Sequence, residues 1–209
     1  MSDVHPAVKL FPGVDAASTR ESMTIGLIGP DEFELGRNVI AGLEAYPSFL
    51  DWLDCREGRQ IGLSLSGVEA TLMRVRLAGL LAWCDLTGRS PSLQSLDAFA
   101  SFIAPLQRLP SLAVAALVDA RDFAARRGVL DGPRDYVAWS ERRRRICRRG
   151  VAAGLHVVEQ PVRLERFAEW RVCVGEAESE AALDNYAALL LEYLLACGEP
   201  WDGNCHVTV

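Results

Sequence analysis

Lysine is almost missing from this sequence: Lys9 stands alone among 22 basic residues, and arginine supplies the rest. Such a skew follows from a GC-rich genome as readily as from a phosphate site, so it is not a binding signature in itself. The six cysteines contain no CxxC pair, which excludes the common zinc ribbons and dithiol redox motifs. They are scattered and mostly set among apolar residues, as expected of reduced thiols in a cytosolic protein. The one grouping of soft ligands, Cys205-His206 with Cys197 and Cys173, matches no tetrahedral zinc spacing, so neither a metal nor a cofactor is expected. Long apolar runs are missing as well. The longest, Leu77 to Cys84, is far too short to cross a bilayer, and the N-terminus lacks a basic stretch followed by an apolar one, so neither membrane anchoring nor export is expected. Neither GxGxxG nor a Walker-type phosphate loop is present, and Gly26-Leu-Ile-Gly29-Pro30 reads as a turn. No repeat recurs at the period of about 20–50 residues typical of solenoids.

What remains is a chain of 209 residues, 50% hydrophobic and 24% charged, which places it among globular proteins. Its net charge of −6 repels nucleic acid and anionic lipid taken as a whole. The charge is unevenly spread: ten of the basic residues fall in 131–171, whereas 172–209 contains only acidic ones.

Residues 1–22 show no period and read as a tail or arm, with residues 23–209 as a single helical domain. Met23–Ile28 suits a short strand, and Asp31 with Glu34 starts a helix to about Ala45. Ser48 and Asp51 open a shorter helix that Gly58 ends, and Gln60–Leu65 reads as extended. Ser66-Gly-Val-Glu69 has the form of a capping box and predicts a central helix to Thr87, closed by Gly88. Further helices are expected at Leu93–Ala104, from Ser111 to Arg127-Gly128, and from Asp131-Gly-Pro133 to at least Arg149. His156–Val158 and Trp170–Val174 suggest a short hairpin, and Ser179 caps a last helix that stops at Gly198. The expected fold is mainly α, a single-domain, bundle-like arrangement of about seven helices with a minor β element.

The arginine-rich helix carries the site candidates. A helical wheel gathers Tyr136, Trp139, Ile146 and Cys147 on one stripe and sets Arg143 in its middle. A buried guanidinium needs a counter-charge, either a carboxylate such as Glu69, Asp85 or Asp97, or a bound anion. Arg143, Tyr136, Trp139 and His156 are therefore the candidate ligand-binding residues. Arg144, Arg145, Arg148 and Arg149 face outward and form a candidate interaction surface, with Glu165, Glu169, Glu176, Glu178 and Glu180 as possible complements within a subunit or across a dimer. Asp51, Asp54 and Glu57 share a helix face and read as solvated surface.

The function expected from these residues is that of a cytosolic, bacterial-type binding or regulatory protein that acts through helix surfaces. It would self-associate, as a homodimer or larger, or meet an acidic protein partner. The alternatives are an anion-binding protein or enzyme with a cleft at Arg143, and a nucleic-acid binder using the outward arginines. The chain has no base-reading or stacking pattern to favour the last.

Overall fold

Short polar caps and left-handed glycines set most boundaries in the computed structural model, which describes residues 22–109, 112–126, 130 and 135–200. In chain order it contains β1 (Ser22–Leu27), α1 (Pro30–Arg37), a single 3-10 turn (Leu43–Ala45), α2 (Phe49–Leu65), β2 (Glu69–Val75), α3 (Leu77–Thr87) and α4 (Leu93–Leu106). There follow β3 (Ala113–Leu117), α5 (Ala120–Ala125), α6 (Tyr136–Ala152), β4 (Val157–Pro161), α7 (Leu164–Val174), α8 (Glu180–Ala196) and β5 (Gly198–Pro200). The described residues are mainly helical, with a few short strands, as the sequence predicts. The chain divides into two compact units. Of the described residues, the first comprises 22–108 with 193–200 and the second those within 109–192.

Each unit runs β-α-α-β-α-α, and its two strands pair in parallel, β1 with β2 and β3 with β4. Parallel neighbours need a crossover, supplied by α1 and α2 in one unit and by α5 and α6 in the other. In the first unit β5 adds to β2 antiparallel. The likeness extends to single residues. Trp52 and Trp139, Arg56 and Arg143, Trp83 and Trp170, and Asp97 and Asp184 each stand 87 positions apart, and Val-Arg-Leu occurs at 75–77 and again at 162–164. Four of the five tryptophans fall into these pairs, which chance does not explain.

The packing repeats with the residues. Phe33, Phe49 and Trp52 form an aromatic cluster in the first unit, and Phe123, Tyr136 and Trp139 form its counterpart in the second. Phe33–Phe49 and Phe123–Tyr136 meet edge-on at 5.8 and 5.5 Å. Phe33–Trp52 and Phe123–Trp139 tilt by 34° and 35°. Trp83 meets Phe99 as Trp170 meets Tyr186, at 5.6 and 5.2 Å. The boundaries repeat too: Ser48 and Asp135 cap 17-residue helices, and Ser92 and Ser179 cap α4 and α8. Gly67 and Gly154 follow α2 and α6 at φ 85° and 83°, a conformation that only glycine adopts without strain. Even the start of α3 and of α7 is held alike, its first N–H donated to a carboxylate from the preceding short helix, Leu77 to Glu32 and Leu164 to Asp122. The chain is an internal duplication of one β-α-α-β-α-α unit.

Several expected elements differ. The helix predicted from Ser66 to Thr87 is a strand followed by a helix: Gly67, in the left-handed region, ends α2, and Glu69–Val75 pairs with β1. Gln60–Leu65, expected to be extended, continues α2 past Gly58, because Phe49, Trp52, Leu53 and Arg56 anchor the helix along one buried face. The helix from Asp31 stops at Arg37 rather than Ala45. The alanine-rich helix expected from Ser111 is the strand β3 and the short α5; pairing with β4 overrides alanine's helix propensity. No hairpin forms at 156–174, because β4 pairs with β3 and Trp170–Val174 belongs to α7. Of the tail predicted at 1–22, Ser22 belongs to β1 and the rest lies outside the described residues, as do the cap at Ser111, the stop at Arg127-Gly128, the start at 131–133 and the Cys205-His206 pair.

Candidate functional site

Both units are built around an aspartate on the last helix and an arginine on the second. In the second unit Arg143, only 6% exposed, forms a bidentate pair with Asp184, whose Oδ1 also accepts the Ala116 N–H of β3 at 2.8 Å. Glu180 lies 3.8 Å from the same guanidinium and pairs closely with Arg142. In the first unit Arg56 pairs with Asp97, whose Oδ1 accepts the Gly26 N–H of β1 at 3.0 Å, while Arg56 donates to the Gly26 carbonyl. Each pair thus ties two helices to the free edge of a strand and occupies hydrogen-bonding groups that would otherwise recruit another chain.

Arg143 therefore has an internal counter-charge, supplied by Asp184 and Glu180 rather than by Glu69, Asp85 or Asp97. Trp139 is brought beside it, whereas Tyr136 packs against Trp139, with ring centroids 6.2 Å apart, and not against the guanidinium. The Arg143 guanidinium lies 6.0 Å from the Trp139 ring centroid, and the Tyr136 hydroxyl donates to the Val118 carbonyl. His156 sits elsewhere, exposed between α6 and β4, where its carbonyl accepts the Ala113 N–H.

Arg144, Arg145, Arg148 and Arg149 are exposed along α6. No carboxylate pairs with any of them among the described residues, and Arg148 donates only to the Arg144 carbonyl of its own helix. Of the proposed acidic complements, Glu180 pairs within the unit to Arg142 and Arg143, Glu178 to Arg171, Glu169 to Arg166 and Glu165 to Arg126. The matching positions of α2 are Glu57, Gly58, Ile61 and Gly62, so the arginine face is peculiar to the second copy.

A cavity of about 520 Å³ opens in the first unit at the corresponding aspartate. Arg56, Arg59 and Asp97 form its charged end, with Arg59 Nη1 donating to Asp97 Oδ2 at 2.6 Å. Met23, Leu93 and Ala98 give it apolar wall, and Tyr46 and Cys55 meet at its side, 3.4 Å between Oη and Sγ. That contact and burial raise the Tyr46 pKa. Burial lowers the Arg56 pKa and Asp97 opposes that effect, as expected of a guanidinium removed from water. Its Nε has no partner among the described residues.

The sequence reading missed this group. The acids around it on α2, Asp51, Asp54 and Glu57, read as solvated surface, and no role falls to Arg56 or Arg59. The usable signal was the repeated Trp-x-x-x-Arg, at 52–56 and 139–143, together with Leu-Asp-x-x-Ala at 96–100 and 183–187. No group of metal-ligating side chains occurs among the described residues, and none of their helices is long and apolar enough to cross a membrane. No known family model matches the chain, and no curated protein or solved structure resembles it.

Proposed function

We propose that the chain is a binding protein that self-associates through the arginine face of α6, which meets an acidic surface on a second copy. The observation that carries this reading is the exposure of Arg144, Arg145, Arg148 and Arg149 on one helix without a carboxylate partner among the described residues. Four like charges on neighbouring turns repel one another, and an apposed acidic surface relieves that repulsion. The protein carries six more negative than positive charges, so a second copy brings an excess of carboxylates. The first unit supports the same reading: its matching face carries one acid, Glu57, and no arginine, so the duplicated fold stands without these arginines.

Light scattering at low and high ionic strength tests it. The wild type is expected to form a dimer or larger species at low salt and to dissociate as salt rises. Arg144→Glu with Arg148→Glu is expected to give a monomer at every salt concentration with an unchanged unfolding midpoint. A wild type that is monomeric at low salt overturns the proposal.

A further inference from the structure

We infer that the cavity of the first unit binds a small organic carboxylate, whose head group takes the place that Glu180 holds in the second unit. The duplication supplies an internal reference for the site. Around Asp184 the second unit balances two guanidiniums, Arg142 and Arg143, with two carboxylates, Asp184 and Glu180. At the corresponding positions the first unit has Cys55 for Arg142, Leu93 for Glu180 and Arg59 for Ile146. Two guanidiniums, Arg56 and Arg59, are left facing one carboxylate, Asp97.

That imbalance coincides with an open space. Exchanging Glu180 for Leu93 removes a carboxylate, and the site where it would lie is a cavity of about 520 Å³, within the range of small-molecule pockets. Arg56 is 3% exposed and still lines it. A buried guanidinium with one shared carboxylate gains from a second carboxylate beside the Gly26 carbonyl it already meets, and the planar fork suits one. The Arg59 side chain is 43% exposed at the cavity, so it can meet a head group arriving from solvent. Met23, Leu93 and Ala98 supply apolar wall for a short chain or a ring. The ligand class is therefore a monocarboxylate with an apolar body.

Thermal unfolding of the full chain with acetate, hexanoate or benzoate tests this, with benzyl alcohol as the neutral control. Hexanoate and benzoate are expected to raise the midpoint with concentration, acetate less, and benzyl alcohol not at all. The Arg56 Nε–Hε resonance is expected to move with benzoate. Leu93→Glu supplies the missing carboxylate from within and is expected to abolish both responses. Arg59→Ile, the residue type of the second unit, is expected to weaken binding at least tenfold. The inference is overturned if none of the carboxylates moves the midpoint or the resonance. It is equally overturned if Leu93→Glu responds like the wild type or, should that variant not fold, if Arg59→Ile does.

Discussion

Asp97 and Asp184 hold the same station in the two copies: each carboxylate accepts a strand N–H, from Gly26 or Ala116, and pairs with the arginine of the second helix. Their surroundings differ in exposure and in charge. The Asp97 side chain is 9% exposed and the Asp184 side chain 31%. Asp97 alone answers Arg56, whereas Arg143 keeps Glu180 at 3.8 Å when Asp184 is removed.

Asp97→Ala is therefore expected to cost about 3–5 kcal/mol, the range for leaving a buried charge uncompensated. Asp184→Ala is expected to cost less, about 1–3 kcal/mol, because a carboxylate and some water remain near the guanidinium. Urea denaturation of both variants checks the order. In a double replacement, Arg56→Met with Asp97→Leu, stability is expected to recover part of the loss, since no buried charge is then stranded, although Arg59 and the Gly26 N–H still lose their acceptor. Equal losses for the two aspartates would mean that Glu180 does not act as the second partner.

The ends of helices were easier to read than their middles. Ser48, Ser179, Gly88 and the strand at 23–28 follow from local chemistry and stand as expected, because a cap needs only its own turn. β2 and β3 were not legible. Glu69–Val75 has apolar residues at spacings that satisfy a helix as well as a strand, and what decides is pairing with β1, 47 residues away in the register Ser22 to Glu69. The burial of Arg143 was legible from its wheel, but its partner was not, since Asp184 lies 41 residues further along. The first-unit cavity was hidden for a different reason: its meaning comes from comparing Leu93 with Glu180, and the duplication that permits the comparison has a longer period than the repeats of solenoid folds.

Glycines give a prediction of opposite signs within one loop and helix. Gly58 and Gly62 lie in α2 with open space where a Cβ would be, so Gly58→Ala and Gly62→Ala are each expected to stabilise by about 0.5–1 kcal/mol. Gly67 and Gly154 also have open space, but their φ values are +85° and +83°, so Gly67→Ala and Gly154→Ala are expected to destabilise by about 1–2 kcal/mol. Denaturant midpoints of the four variants separate the two effects. Stabilisation at Gly67 or Gly154 would contradict the left-handed boundary that ends α2 and α6.

The thiols predict how stability depends on pH. Burial raises the pKa of Cys84, Cys147 and Cys197, so the folded chain holds these protons at a pH where the unfolded chain has released them. Above the free-thiol range, near about 8.5, the unfolded state binds fewer protons and stability must fall as pH rises. The urea midpoint is expected to be flat from pH 7 to 8 as far as these groups act and to decline by pH 9.5. Cys147→Ala, compared with its own value at pH 7, is expected to decline less steeply than the wild type. Cys55 and Cys173 are exposed, so brief iodoacetamide labelling at pH 8, mapped by peptide mass, is expected to modify them first. Of the stripe predicted on α6, Ile146 is exposed and Trp139 and Cys147 are buried with Arg143. Labelling of Cys147 at the rate of Cys173 would show that these three do not stay turned inward, and the Arg143–Asp184 pair would lose the burial on which its energetics rest.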